Sequence, residues 1–224
     1  MSWFGKLLGR KEEREVRFRY FQEPHRYSTY SEEAQACDLC GKERPGYEGP
    51  FYGYGDEVEF VCELCLVQGK LVKAELSTND GDMKALLEQL NKLYPMRWQE
   101  GNEVEAETRR LELEHRTPAI LTFQDMLWPA HCGDFVRYVK EVGQQDLQEL
   151  AGDGDGKQLF RELLKQSLAG NLSSGDEGQF EEMVDGVWSD MPTGSPTKPA
   201  DAHVGVYLFQ CLHCGEYLVR FDTD

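Results

Sequence analysis

Three Cys-x-x-Cys pairs constrain this chain more than any other feature. They are Cys37/Cys40 in CDLC, Cys62/Cys65 in CELC and Cys211/Cys214 in CLHC. Each such turn aims two thiolates at one point, and two turns complete a tetrahedron around an ion at about 2.3 Å. The first two pairs are separated by 21 residues, which is zinc-ribbon spacing. Cys37, Cys40, Cys62 and Cys65 are therefore expected to hold one zinc. Four thiolates leave no position for water, so this site is expected to be structural.

The pair Cys211/Cys214 has no second pair after it. The only other cysteine is Cys132, beside His131 in WPAHCGDF. A second zinc site from Cys132, Cys211, Cys214 and a histidine is the economical solution. His131 is the first candidate for the fourth ligand, although its adjacency to Cys132 would strain the backbone. His203 and His115 are others, and an open water position would turn the site into a three-ligand catalytic zinc.

The compartment follows from the same cysteines. The start, MSWFGKLLGRKEER, places apolar residues before charges and does not read as a secretory signal. No run approaches the ~18 apolar residues of a membrane span. A cytoplasmic location is expected, where paired cysteines are metal ligands before they are disulfides.

The fold class expected is α+β: a zinc-ribbon-like β region, a helical middle and a C-terminal β-hairpin knuckle. Residues 1–16 suggest an amphipathic segment, with Trp3, Phe4, Leu7 and Leu8 ahead of mixed charge. Residues 17–78 are aromatic and Gly-rich; VRFRYF reads as a strand, and YEGPFYGYGDEVEFVC as a turn and a strand. Residues 79–200 form the helical, acidic region. Met83, Leu86, Leu87, Leu90 and Leu93 fall at helical spacing, with Asn79 or Asp80 as cap and Pro95 as stop. Residues 102–116 read as a charged helix. TFQDMLWPAHCGDFVRYVKEVG reads as two short helices broken at Pro129 and Gly133. Two more helices are expected near 157–168 and 178–188, and 191–203 reads as a linker. Residues 201–224 form the knuckle hairpin.

Charge decides between classes of partner. The net charge is −17, with +3 on residues 1–20 and −20 on the remainder. Such a body repels nucleic-acid phosphate, so no direct nucleic-acid binding is expected and a zinc-ribbon nucleic-acid adaptor is disfavoured. Catalytic motifs are missing as well. AHCGD and FQCLHC lack the Glu and Pro of a zinc deaminase, and no His-Glu-x-x-His occurs. GDGDGK (152–157) spaces wrongly for a phosphate loop and imperfectly for a calcium loop, since Ala151 stands at the first loop position, where a ligand is needed, and Gln158 at the eighth. A capping loop before the next helix suits it better. His131 with Asp134 is a conceivable acid/base pair.

Taken in order, FRYFQEP, CDLCG, YEGPFYG, VCELCLVQGK, RTPA, WPAHCGDF and YLFQCLHCGEYL resemble the CbrC-like family. The likeness covers most of 17–140 and 205–222, and the stretches 79–100 and 152–200 are longer than that pattern. The resemblance implies zinc-type cysteines at these seven positions and a role in tolerance of nuclease colicins. Combined with the acidic body, it implies a non-enzymatic immunity-type protein that neutralises a basic protein toxin. The acidic residues Glu177, Glu181, Glu182 and Asp185 would make the contact, with Phe180, Val184 and Trp188 as anchors or, more plainly, as core. The alternative is a zinc-dependent hydrolase built on His131, Cys132, Cys211 and Cys214.

Overall fold

The computed structural model describes residues 16–55, 57–168, 177–196 and 203–224. But for Val16, the amphipathic segment expected over 1–16 lies outside them. Helices and sheets are interleaved along the chain, an α+β arrangement.

A single-turn helix α1 (Pro24–Tyr27) leads into β1 (Tyr30–Ala36), which pairs antiparallel with β2 (Glu43–Glu48). The turn between them carries Cys37 and Cys40. The short β3 (Tyr52–Gly53) follows, and then β4 (Phe60–Cys62) joins the free edge of β2. Helix α2 (Glu63–Val67) starts directly after β4. A 3-10 turn over Lys70–Ala74 brings the chain to β5 (Leu76–Ser77), the partner of β3.

Next comes β6 (Asp80–Gly81), and then the hairpin of α3 (Met83–Leu93) and α4 (Gln99–Arg116). Leu86 and Leu90, one helical turn apart, are both fully buried. The cap of α3 is Asp82, whose Oδ1 accepts from the Ala85 N–H at 2.9 Å. It replaces the expected Asn79 or Asp80, because those two residues belong to the loop and strand that pair with β7 (Leu127–Trp128).

The stretch 122–143 is not helical, contrary to the sequence expectation. It forms β7, β8 (Ala130–His131), β9 (Asp134–Phe135) and β10 (Arg137–Glu141). Pro129 supplies no N–H for a helix. Phe135, Val136 and Tyr138 gain more from burial and from ladder bonds to a strand some seventy residues later. VRFRYF is likewise not a strand. It touches the sheet through an isolated bridge to Tyr138, which donates its N–H to Tyr20 O at 2.8 Å and accepts from Gln22 N at 3.0 Å, and through Arg19 O, which accepts from Arg137 Nε at 3.2 Å.

Three helices follow: α5 (Gln144–Ala151), α6 (Gly156–Ser167) and α7 (Glu177–Asp190). GDGDGK is a capping loop; Asp155 Oδ1 accepts from Gln158 N at 3.0 Å. The chain closes with β11 (Val204–Gln210) and β12 (Tyr217–Thr223), giving an antiparallel sheet in the order β10-β11-β12.

Strand β11 explains why this sheet sits at the centre. Its side chains alternate across the sheet with period two. Tyr207 and Phe209 enter a core with Trp128, Phe135 and the ribbon cysteines. Val204, Val206 and Leu208 enter a second core with Leu147, Phe160, Phe180 and Val184. Burial on both faces is why VGVYLF reads as an unbroken apolar run rather than an alternating one. Among the described residues, no helix is long and apolar enough to cross a membrane.

Candidate metal centres

The structure brings Cys37, Cys40, Cys62 and Cys65 together, with all four sulfurs within 4.8 Å of one another. Two elements position them. The β1–β2 turn is closed by Gly41 N–H to Cys37 O at 2.7 Å, with Gly41 in the left-handed region. Asp38 ties this turn to the second pair: its Oδ2 accepts from Glu59 N and Phe60 N, both at 2.9 Å. Cys62 ends β4 and Cys65 lies one turn into α2. The Cys40–Cys62 sulfur separation of 3.9 Å matches the edge of about 3.8 Å in a tetrahedron with metal–sulfur bonds near 2.3 Å. The Lys70 ammonium donates to Cys65 Sγ at 3.3 Å and offsets part of the thiolate charge.

The second group is His131, Cys132, Cys211 and Cys214, again within 4.8 Å. The adjacency of His131 and Cys132 is resolved by the backbone. They sit at a two-residue hairpin, where His131 pairs with Asp134 and Cys132 and Gly133 form the loop. Both loop residues have positive φ, 53° and 72°, the geometry of a type I′ turn. That turn swings Cys132 back toward the imidazole of its own neighbour. The hairpin is then clamped by Gln89 on α3, whose Nε2 donates to Ala130 O at 2.8 Å and whose Oε1 accepts from Gly133 N at 2.9 Å. Across the gap, the CLHC turn follows β11, with Cys211 N–H donating to Glu216 O at 2.8 Å. Cys214 Sγ lies 3.5 Å from His131 Nδ1, the edge expected for one sulfur and one imidazole nitrogen on a tetrahedral ion, about 3.5 Å.

The donor chemistry fits a thiophilic ion in both groups. In the first, the Lys42 backbone N–H and the Cys65 thiol draw Cys40 down to about 7, while burial pushes Cys65 up to about 12. In the second, burial acts to raise Cys211, but the Cys214 N–H, His131 and the His213 N–H outweigh it and bring the thiol to about 7. Burial, with Cys214 next to it, pushes Cys132 up to about 12. Cys40 and Cys211 are thus ready to ionise, whereas Cys65 and Cys132 give up their protons to a cation.

The other two candidate histidines, His115 and His203, lie elsewhere. His115 Nδ1 contacts Leu76 O at 2.7 Å, and His203 pairs with Asp224 at 2.8 Å. Although their backbones pair, no side-chain contact joins His131 to Asp134 among the described residues. His131 Nε2 faces Glu216 at 3.6 Å. Asp134, fully buried, accepts from Tyr20 OH at 2.9 Å and pairs with Arg19 at 2.5 Å, Arg109 at 3.5 Å and His213 at 3.1 Å. This carboxylate binds the N-terminal segment, α4 and the CLHC knuckle into one block beside the second cluster. Sequence reading named Asp134 only as a partner for His131 and missed this role, as it missed that of Gln89, because their partners are far away in the chain; it also missed Lys70, whose partner Cys65 is only five residues away.

The acidic residues of α7 divide. Glu181 forms a forked pair with Arg161, with Nε–Oε1 at 2.7 Å, and Asp185 pairs with Lys157 at 2.8 Å. Glu177 and Glu182 are exposed. Phe180 and Val184 are core residues and not anchors, and half-buried Trp188 packs 6.1 Å from the Phe160 ring.

The family profile described as "Uncharacterised protein family (UPF0167)" matches residues 16–223. A UPF0167 protein of Pseudomonas aeruginosa is 24% identical over 211 residues, covering 92% of this chain and 95% of that protein. UPF0167 proteins of Mycobacterium bovis and Mycobacterium tuberculosis are each 23% identical over 206 residues, covering 92% of this chain and 91% of theirs. No solved structure matches.

Proposed function

The chain belongs to the uncharacterised family UPF0167, and from that premise we propose that it is a cytoplasmic, zinc-stabilised binding protein without a catalytic metal. One observation carries this reading: each cluster brings four protein ligand atoms within 4.8 Å of one another. A fourth protein ligand takes the position that a catalytic zinc keeps for water. Cys37, Cys40, Cys62 and Cys65 would hold one zinc; His131, Cys132, Cys211 and Cys214 would hold the other. The finer reading is an immunity-type role, in keeping with the CbrC-like resemblance. The partner would be a basic protein toxin of nuclease type, steered by the acidic body at rates that fall with salt.

A second reading has one observation in its favour. Cys214 is exposed, so an ion in the second cluster would lie near solvent, as a zinc hydrolase requires. Elemental analysis and zinc-edge spectroscopy of the purified protein separate the two. Two zinc ions per chain, one with four sulfurs and one with three sulfurs and one nitrogen, support the structural reading. A zinc-bound water in the second cluster, with zinc-dependent turnover lost in His131→Ala, would replace it. Co-expression with a cationic nuclease toxin tests the immunity role; absence of both protection and a complex would end it.

A further inference from the structure

The tip of the α3–α4 hairpin leaves large apolar side chains in water. Residues 93–98 read LYPMRW. Met96 is 93% exposed and Trp98 is 86% exposed, and Leu93 and Tyr94 beside them are each about half exposed. A single exposed apolar residue needs no account, but four within six residues do.

Helix formation does not ask for these residues. Trp98 is the N-cap of α4 and makes no side-chain cap bond. Ser, Thr, Asp or Asn at that position would supply one and stabilise the helix. A residue that breaks a local rule with no local gain is the mark of a functional position. The backbone of the tip is also held in one shape. Tyr94 N donates to Leu90 O at 2.8 Å, Arg97 N to Tyr94 O at 3.0 Å and Gly101 N to Trp98 O at 2.8 Å. The Arg97 guanidinium lies over the Tyr94 ring at 4.5 Å. Preorganised Trp, Tyr, Met and Arg side chains are the composition of an interface core.

Charge decides what covers the tip. Lys92, Arg97, Glu100 and Glu103 stand on it, two of each sign, and all four are exposed. None of them forms an ion pair among the described residues; Glu103 accepts from Gln99 Nε2 at 3.1 Å. Further along the same helix, by contrast, Glu105 pairs with Arg109, and Glu107 and Glu114 pair with Arg110. A lipid surface would press Glu100 and Glu103 against phosphate of their own sign. A partner of one sign would leave two of the four charges unmet. A second copy of this chain presents both signs at once, and such self-complementarity is what a two-fold interface requires. The net charge of −17 opposes association, but at physiological salt that repulsion is screened beyond about 8 Å.

We propose that the α3–α4 tip is a self-association surface, through which two copies of this chain form a two-fold dimer. Met96 and Trp98 of each copy bury against the other, and Lys92 and Arg97 of one copy face Glu100 and Glu103 of the second. The tip offers fewer side chains than the roughly 20–30 residues a side of a standard interface, so the dimer is reversible, with a dissociation constant on the order of micromolar. The surface stands on the tip alone and does not depend on the immunity role.

Sedimentation equilibrium of the full-length, metal-replete protein is the test, and the parent should dimerise reversibly. Met96→Ser/Trp98→Ser should weaken the dimer on the order of tenfold or more. Its melting point should equal or exceed the parent's, because both side chains are exposed and serine suits the N-cap position. Lys92→Glu/Arg97→Glu makes the tip all acidic, and Glu100→Lys/Glu103→Lys makes it all basic. Each should lose self-association on the order of tenfold, and the two mixed should form a heterodimer within about threefold of the parent's affinity. A parent that stays monomeric about a hundredfold above the micromolar range would overturn the proposal. So would a dimer unchanged in Met96→Ser/Trp98→Ser, charge variants that associate as tightly as the parent, or a mixture that associates no better than either variant alone. A monomeric parent that floats with phosphatidylcholine vesicles, when Met96→Ser/Trp98→Ser does not, would overturn it as well and assign the tip to a lipid surface.

Discussion

Replacing Cys62 with Ser probes whether the first cluster is a folding device. Cys62 is fully buried, and its sulfur stands 3.9 Å from that of Cys40. A serine hydroxyl stays protonated at neutral pH and reaches less far, so the variant offers three ligands instead of four. Structural zinc contributes about 10–16 kcal/mol in small zinc-finger systems. Losing a quarter of that removes about 2.5–4 kcal/mol, against a total stability of about 5–15 kcal/mol for a typical domain. In a chain of this size each kcal/mol moves the melting point by about 2–4 °C, so a fall of about 5–16 °C is expected. The assay is elemental analysis paired with thermal melting, with and without a chelator. Zinc should fall below two ions per chain as the three-ligand site holds its ion more weakly, and the variant should lose that ion at a lower chelator concentration than the parent. Two zinc ions retained, with a melting point within a degree or two of the parent, would refute the structural role of this centre.

Other perturbations reach different parts of the argument. Gly133→Ala places a side chain at φ 72°, with its Cβ 2.7 Å from Leu93 Cδ1. It should cost about 1–2 kcal/mol and selectively lower zinc in the second centre, read by elemental analysis. Phe209→Ala empties the space between Trp128 and Tyr138, whose rings lie 5.3 and 5.5 Å away. A loss of about 3–5 kcal/mol is expected in denaturant unfolding. Asp146→Asn tests a pH effect. Burial alone would raise this carboxyl, but Lys140, Ser195 and the Gly143 N–H together hold it below its usual value. A depressed folded pKa contributes stability that is present above the unfolded value near about 3.9 and lost as pH falls through the folded one. The parent's melting point should therefore drop more steeply below about pH 4 than that of Asp146→Asn.

What could be read from the sequence was whatever the chain states locally. The helical spacing of Leu86 and Leu90, the capping loop before α6 and the tight turn at Gly41 all depend on neighbours within a few residues. The grouping of Cys132 with Cys211 and Cys214 was legible for another reason: the cysteines are few, so elimination left little choice. What failed was non-local. Residues 122–143 looked helical because their strand partner, β11, lies about seventy residues downstream. The roles of Asp134 and Gln89 were hidden because an Asp or a Gln says nothing alone about which distant group it will meet. Phe180 and Val184 show a related limit. Their helical spacing marked an apolar face, but only the presence of β11 decides that the face is covered.

The placement of the second cluster follows from that same strand. CLHC continues β11, whose two faces hold the two cores together, and the His131–Cys132 hairpin immediately precedes β10, the strand that pairs with it. An ion shared by these two turns would fasten the ends of adjacent, already paired strands. Little loop-closure entropy remains to be removed by such a link. Its contribution would be positional instead. It would fix the register of β10 against β11, and with it the alternation that sends Phe209 to one core and Leu208 to the other. The first cluster is differently placed. It joins the β1–β2 turn to the start of α2 at the rim of one core, where β4 has only three residues to hold it by strand pairing. There the metal would supply cohesion that so short a strand does not. Chelation should accordingly disorder the region around β4 and α2 first, a sequence of events that hydrogen exchange resolves. If instead β10 and β11 lost protection before β4 did, this division of labour between the two centres would be wrong.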